Sequence, residues 1–221
     1  MKRIGIPGWM TGDNSFGVGV SYIEFIYKFG TPVILTPKNY LDLPEVDLII
    51  APGGADILPT SYGEMPGFKT QKSNTVLEHF DAKILPQYIG RKTPVFAICR
   101  GMQRIWAMYG GKIDQHNSWH EQSKHPHDQC HELSFTKDYQ HLNKDVSKVT
   151  SRHHQCVDAS EFVPDELEVI AYAGAHNKYY PNIVEIFKHK TLPIIGVQFH
   201  PEDHDSSDVL SIKLIEELLN T

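Results

Sequence analysis

The stretch Pro94-Val95-Phe96-Ala97-Ile98-Cys99-Arg100-Gly101-Met102-Gln103 decides the fold of this chain. Its first five residues are apolar and stop abruptly at Cys99, which is typical of a buried parallel strand. A helix-compatible segment follows over residues 102–109, and Gly110-Gly111 ends it. The pattern predicts a strand, a sharp turn and a helix, with Cys99 at the corner.

Cys99 has two interpretations at this corner. The free N–H groups and the dipole at a helix N-terminus favour a thiolate, and strand-turn-helix elbows carry the nucleophile in several enzyme classes. A lone cysteine is also commonly a buried structural residue. The rest of the chain favours the nucleophile, because other strand ends carry residues of matching chemistry.

Strands and helices alternate on both sides of the elbow. Strands are predicted at Arg3–Pro7, Thr31–Pro37, Val46–Ala51, Pro94–Ile98 and Leu192–Phe199, and helices at Val20–Phe29, Asn74–Ile89 and Val209–Leu219. This alternation is typical of an α/β fold with a mostly parallel, doubly wound sheet flanked by helices. After Gly111 the pattern is looser, and short, partly exposed strands are predicted at Cys130–Thr136, Val146–Thr150, Leu167–Ala173 and Ile183–Lys188. Because no linker or repeat interrupts the chain, residues 1–221 are interpreted as one domain with a small strand-rich excursion.

Composition narrows the class of function. The 221 residues carry a formal net charge of −6, so nucleic acid is not an expected partner. No run of about 18 apolar residues occurs, so no membrane span is expected. The start at residues 1–7 is interpreted as a first strand rather than a signal peptide. Cys99, Cys130 and Cys156 are widely spaced and odd in number, which argues against a disulfide framework and predicts a cytoplasmic protein.

A second strand end supplies a base and an acid. His200 follows the strand predicted at Leu192–Phe199, and Glu202 stands two residues later. A histidine can take the proton of a thiol while a carboxylate fixes its tautomer, and Pro201 restricts the backbone between them. Taken singly, His200 would be a surface histidine and Glu202 a solvated charge. Together with Cys99 they predict a triad at the carboxyl edge of the sheet.

Two backbone amides are candidates for an oxyanion hole. Gly53-Gly54 follows the strand predicted at Val46–Ala51, and glycine lets an amide N–H turn toward a carbonyl oxygen. The amide of Arg100, next to Cys99, would supply a second donor. Glycine pairs are common in loops, so this motif alone is a weak signal and indicates an oxyanion hole only together with the elbow at Cys99.

Four regions of the chain resemble a known group of proteins. Phe96–Gln103 resembles the nucleophile motif of the class I glutamine amidotransferase-like superfamily, and Val197–Glu202 resembles its His-Pro-Glu motif. Pro52–Pro59, continuing to Tyr62–Glu64, resembles a narrower branch, the gamma-glutamyl hydrolases similar to gamma-glutamyl-gamma-aminobutyrate hydrolase. Ser151–Val157 is similar to the His-His-Gln segment of that branch. The regions follow the order of the branch and cover nearly the whole chain.

The resemblance implies a flavodoxin-like class I glutamine amidotransferase fold and a hydrolase with no cofactor and no metal. Cys99, with His200 and Glu202, would attack the gamma-glutamyl amide of a small amine, form a thioester and let water release glutamate. The amides of Gly54 and Arg100 would hold the oxyanion. The substrate-binding residues that the resemblance implies are Gly53, Gln103, His153, His154 and Gln155.

Other functions stay open at this point. The chain could be a glutaminase subunit that delivers ammonia to a separate synthetase, although the branch-specific segments favour the hydrolase. It could also be a binding module that lost catalysis, against which the intact Cys99, His200 and Glu202 argue. The expected partner is a small gamma-glutamyl substrate. The sequence does not determine the oligomeric state, and a homodimer is compatible with it.

Several residues near the motifs also allow two interpretations. Gln103 could face the pocket rim or be an exposed helix residue, and His153-His154 could be loop histidines without substrate contact. Trp106, Tyr109 and Trp119 could line a pocket or pack in the core. In the segment Asn74–Glu78, only Glu78 matches the branch.

Residues 116–131 form a histidine-rich loop with no counterpart in the resemblance. The metal-ligand types within it are His120, His125, His127, Cys130 and His131. Their spacing fits no ligand pattern, so contact with the leaving amine is the preferred interpretation.

Overall fold

Eight strands form the main sheet. The computed structural model describes residues 1–11, 15–38, 40–116, 130–145, 148–174, 182–203 and 208–220. The strands are β1 Arg3–Pro7, β2 Thr31–Leu35, β3 Leu48–Ala51, β4 Val95–Ile98, β5 Leu133–Phe135, β6 Leu167–Ala173, β7 Val184–His189 and β8 Ile194–Val197. Their spatial order is β2-β1-β3-β4-β8-β7-β6-β5. Pairing is parallel from β2 to β8 and antiparallel from β8 to β5, so the mostly parallel α/β fold is confirmed.

Helices cover both faces of this sheet. They are α1 Val20–Tyr27, α2 Thr75–His79, α3 Leu85–Gly90, α4 Arg100–Met108 and α5 Asp208–Leu219. Successive residues of a strand point to opposite faces. Accordingly, Phe96 and Ile98 of β4 pack with α1 and α5, whereas Val95 and Ala97 pack with α3 and α4. Burial on both faces explains why the central strands are continuous apolar runs.

The helix predicted at Asn74–Ile89 differs from the observed one in its middle. The Asn74 side chain caps its start by accepting hydrogen bonds from the N–H groups of Val76 and Leu77. Between α2 and α3 the chain makes one π-helical turn at Phe80–Ile84. Pro86 has no N–H to donate to the preceding turn, so the regular α-helical ladder cannot continue through it.

The strand-rich excursion is more closely tied to the main sheet than the sequence predicted. The strand predicted at Cys130–Thr136 is split into Cys130–His131, which pairs with Val149–Thr150, and β5, which forms a sheet edge. β7 was expected to be partly exposed, and this is wrong, because it lies between β6 and β8 with its side chains almost entirely buried. Among the described helices, none has the length and apolar character needed to cross a membrane.

Candidate active site

Cys99 lies between β4 and α4 in a strained backbone conformation. Its φ of 49° and ψ of −105° fall outside the regions that non-glycine residues favour. The turn brings α4 very close to β3, since a Cβ at Gly101 would lie 2.2 Å from the Ala51 carbonyl oxygen. Only glycine allows this approach, and the side chain of Cys99 is 6 % exposed as a result of the packing around the turn.

His200 and Glu202 lie beside this turn because β8 is the parallel neighbour of β4. The imidazole Nδ1 of His200 is 2.6 Å from Oε1 of Glu202, within a short 3₁₀ turn that begins at Pro201. His200 is 7 % exposed and Glu202 is 1 % exposed. The alternatives of a surface histidine and a solvated carboxylate are therefore wrong.

The pKa values of His200 and Glu202 are shifted by the charges around them. Burial lowers the pKa of His200, but the charges of Cys99 and Glu202, and hydrogen bonds with both, outweigh burial and raise that pKa to about 10. Burial raises the pKa of Glu202, but the charge of His200 and hydrogen bonds from His200 and Tyr22 hold it below its usual value. At neutral pH the pair is an imidazolium and a carboxylate, with the imidazolium facing the sulfur of Cys99.

The two predicted oxyanion donors lie on either side of Cys99. Gly54 has a φ of 153°, a conformation that favours glycine, and its N–H makes no hydrogen bond to another described residue. Arg100 is the first residue of α4, where the N–H has no acceptor within the helix. The N–H of Gly53, by contrast, donates a hydrogen bond to the hydroxyl oxygen of Tyr22 at 2.9 Å.

The side chain of Arg100 points away from the turn and is 1 % exposed. Its guanidinium donates to Oδ2 of Asp81 at 2.6 Å and to Oε1 of Glu78 at 2.7 Å. Glu78 also accepts the N–H of Leu58 at 3.1 Å. Glu78 thus joins the elbow to the loop after β3, which gives a physical role to the one residue of its segment that matches the branch.

Gln103 is buried in a polar network rather than exposed. Its Nε2 donates to the Gln155 carbonyl oxygen at 2.9 Å and to Oε1 of Gln198 at 3.2 Å. Nδ1 of His153 lies 2.7 Å from the same Gln155 carbonyl oxygen. The alternative of a solvent-exposed Gln103 is therefore wrong, and the elbow helix holds the segment that contains His153 and Gln155.

His154 faces the loop after β3. Its Nε2 is 3.1 Å from Oδ1 of Asp56, and its Nδ1 is 3.5 Å from Nδ1 of His116. Oδ2 of Asp56 accepts the N–H of Gln71 at 2.7 Å. The segments Pro52–Pro59 and Ser151–Val157, which are distant in sequence, meet through this side-chain contact.

Sequence reasoning did not identify Tyr22 and Arg152 as neighbours of the triad. Tyr22 belongs to α1, where an aromatic residue at helical spacing is usually assigned to the core. Nη2 of Arg152 is 2.9 Å from Oδ2 of Asp203 and 3.9 Å from Oε1 of Glu202. The charge of Arg152, immediately before the His-His-Gln segment, was the one signal that could have suggested a partner for the acidic turn.

The remaining aromatic and histidine predictions have mixed outcomes. Trp106 is fully buried and packs against Phe187, so core packing accounts for it. Tyr109 lies against His189. Four residues with sequence-based predictions lie outside the described part of the chain, namely Trp119, His120, His125 and His127. Over the described part of the chain, no three His, Cys, Asp or Glu side chains are grouped so that they could hold a metal ion.

Comparison with known proteins identifies the family and supports the fold. The family model described as Peptidase C26 matches residues 10–202. A Lactococcus lactis protein named as the glutamine amidotransferase-like protein YvdE is 27 % identical to this chain, and the alignment covers 90 % of this chain and 86 % of that protein. Protein NtpR of Enterococcus hirae is 32 % identical over 81 % of this chain and 78 % of its own. The crystal structure of a glutamine amidotransferase from Thermotoga maritima superposes with a TM-score of 0.62 at 14 % identity, covering 100 % of this chain and 99 % of that one. This chain therefore belongs to the Peptidase C26 family of class I glutamine amidotransferase-like hydrolases.

Proposed function

We propose that the protein is a cysteine-dependent hydrolase that cleaves the gamma-glutamyl amide bond of a small gamma-glutamyl-amine conjugate and releases glutamate and the amine. The observation that carries the proposal is the strained Cys99 turn beside the buried His200–Glu202 pair, whose facing atoms are 2.6 Å apart. Membership of the Peptidase C26 family supports an acyl-transfer hydrolase. The segments at Gly53-Gly54 and His153–Gln155 support the gamma-glutamyl branch.

In the first half of the reaction, the sulfur of Cys99 attacks the amide carbon of the gamma-glutamyl group. The carbonyl oxygen becomes an oxyanion, which the N–H groups of Gly54 and Arg100 stabilise. His200, which carries a proton at neutral pH, donates it to the amine nitrogen. The carbon–nitrogen bond then breaks, the amine leaves, and a gamma-glutamyl thioester remains on Cys99.

In the second half, water replaces the amine. The neutral imidazole of His200 takes a proton from the water, whose oxygen attacks the thioester carbon at the same oxyanion hole. The carbon–sulfur bond breaks, glutamate leaves, and the proton held by His200 restores the resting pair with Cys99. Glu202 keeps Nδ1 of His200 protonated throughout, so that Nε2 faces the reacting atoms.

The walls of the proposed glutamyl pocket come from two loops that the network ties to the elbow. Gly53 packs on the His200 ring, because a Cβ there would lie 2.8 Å from Cε1 of His200. Gln103 holds the Gln155 carbonyl, and His154 holds the loop after β3 through Asp56. These contacts favour Gly53, Gln103, His153, His154 and Gln155 as residues that shape the pocket.

The test is glutamate release by the isolated protein from free glutamine and from a panel of gamma-glutamyl amines. We expect fast release from one conjugate and little from glutamine. Cys99→Ala should lower the rate of glutamate release by at least about 10³-fold while the protein stays folded. Cys156→Ala is the matched control, because Cys156 is also a buried cysteine but lies outside the triad.

Two outcomes would contradict the proposal. Turnover retained in Cys99→Ala would exclude the cysteine mechanism. Ammonia released from glutamine, with no activity on the conjugates, would instead favour a glutaminase subunit that delivers ammonia to a separate synthetase, and a stimulating synthetase partner would then be sought.

A further inference from the structure

Tyr22 reaches the site from a helix that carries none of the sequence motifs. It lies in α1, is 7 % exposed, and its ring makes an edge contact with Trp9 at a centroid distance of 5.8 Å. Helix α1 packs beside the turn that holds Glu202, and this packing brings the Tyr22 hydroxyl to the carboxyl edge of the sheet. A core aromatic residue would need only its ring at this place.

The hydroxyl sits where three parts of the site meet. It accepts the Gly53 N–H at 2.9 Å. The position that a Cβ on Gly53 would occupy is 2.9 Å from this hydroxyl, 2.8 Å from Cε1 of His200 and 3.6 Å from Cβ of Cys99. The Tyr22 hydroxyl, the His200 imidazole and the Cys99 side chain therefore surround the same side of Gly53.

The charges of the triad act on this hydroxyl. Burial first, then the charges of Glu202 and Cys99, raise the pKa of Tyr22 well above its ordinary value, so the hydroxyl keeps its proton. Tyr22 therefore presents a neutral hydroxyl that accepts from the oxyanion loop beside the triad.

We propose that Tyr22 is a positioning residue whose hydroxyl fixes the Gly53-Gly54 peptide beside the His200 imidazole and the Cys99 turn. Gly53 cannot offer its N–H to the substrate while Tyr22 holds it, and this leaves the next amide, that of Gly54, as the oxyanion donor. The inference rests on the proposed hydrolase function, since it assigns Tyr22 to the same site.

The experiment compares Tyr22→Phe with Tyr88→Phe. Both remove a buried tyrosine hydroxyl that makes a backbone hydrogen bond. The hydroxyl of Tyr88 donates to the Pro44 carbonyl oxygen at 2.8 Å, outside the site. Phenylalanine keeps the ring contact with Trp9, so Tyr22→Phe is expected to fold. We expect kcat of Tyr22→Phe to fall by about 10- to 100-fold, less than the roughly 10²- to 10³-fold loss for a removed oxyanion donor, because Tyr22 acts only through the Gly53-Gly54 peptide, with KM nearly unchanged.

A second readout does not depend on turnover. The rate at which iodoacetamide alkylates Cys99 is measured from pH 5 to 10 in both variants, with Cys99→Ala as the blank. The groups that face Tyr22 are Glu202, His200 and Cys99, so we expect the profile of Tyr22→Phe to change and that of Tyr88→Phe to match the unaltered protein.

The outcomes separate this inference from the proposed function. If Tyr22→Phe keeps both kcat and the alkylation profile, or if Tyr88→Phe loses as much activity, the positioning role is wrong while the hydrolase stands. If no gamma-glutamyl compound is cleaved by the unaltered protein, the proposed function is wrong, and an unchanged alkylation profile in Tyr22→Phe would still overturn the role of Tyr22.

Discussion

Two buried ion pairs flank the Cys99 turn and differ in what they do. On one side, the guanidinium of Arg100 binds Asp81 and Glu78 at 2.6 Å and 2.7 Å. On the other side, His200 binds Glu202 at 2.6 Å. Both pairs are almost completely buried and both hold residues next to the nucleophile. The guanidinium of Arg100 keeps its positive charge and is directed away from the turn, whereas the His200 pair can gain and lose a proton beside the sulfur.

Because of this difference, the Arg100 pair anchors the elbow, whereas the His200 pair is suited to acid–base chemistry. Arg100 contributes its backbone N–H to the proposed oxyanion hole, and its side chain ties α4 to α2 and the adjoining π turn. Burial lowers the pKa of Arg100, but the charges of Asp81 and Glu78 outweigh it and raise that pKa, so the guanidinium cannot act as an acid or base. Changes in the Arg100 pair should therefore affect stability, and changes in the His200 pair should affect turnover.

The largest effect is expected on the side of the chemistry. His200→Ala removes the group that gives a proton to the amine and takes one from water, so kcat should fall by about 10⁴-fold, the upper range for acid–base catalysis. Glutamate release measured at saturating substrate checks this value. His189→Ala is the control, since His189 lies at the other end of the sheet beside Tyr109, and an equal loss there would contradict the assignment.

The second effect is expected on the side of the anchor. Arg100→Met leaves the carboxylate of Asp81 buried without its partner, and the free energy of unfolding should fall by about 3–5 kcal/mol. Urea unfolding followed by circular dichroism measures the change, with Arg91→Met as a surface arginine control. Replacing Asp81 as well, in Arg100→Met/Asp81→Leu, should restore part of the stability. A normal unfolding midpoint in Arg100→Met would show that the pair does not stabilise the fold.

A smaller effect is expected when the triad acid loses its charge but keeps its shape. Glu202→Gln should lower kcat by about 10²-fold, less than His200→Ala, because the base remains. The charge of Glu202 helps raise the pKa of His200 to about 10, so activity that needs the imidazolium should decline above pH about 9 in the unaltered protein. In Glu202→Gln this alkaline limb should move to lower pH. Identical limbs in the two pH profiles of kcat/KM would contradict the coupling.

The smallest effect is expected at the pocket wall. Asp56→Asn weakens the contact with His154, a hydrogen bond worth about 1 kcal/mol, so KM should rise by about fivefold while kcat changes little. Asp158→Asn is a control aspartate in the loop that begins after the Cys156–Val157 strand. A drop in kcat without a change in KM would contradict this prediction, because it would mean that Asp56 affects the chemical step and not substrate binding at the pocket wall.

The arrangement of strand ends could be predicted from the sequence because it depends on local patterns. The apolar runs before Cys99 and His200 predict neighbouring parallel strands, whose carboxyl ends share one edge of the sheet. The helix at Asn74–Ile89 was also predicted, and only its π turn was not, because Pro86 acts through the geometry of the preceding turn. The exposure of β7 was misjudged and that of Gln103 was left open, since burial depends on which elements pack over them.

The order of residues alone is sufficient for the α/β class, the elbow at Cys99 and the pairing of His200 with Glu202, because each follows from short-range periodicity or a spacing of two residues. The contacts of Tyr22 with Gly53, Glu78 with Arg100 and His154 with Asp56 required the tertiary structure. Those partners are far apart along the chain, and which side chains meet is decided by the direction in which packed helices and loops present them.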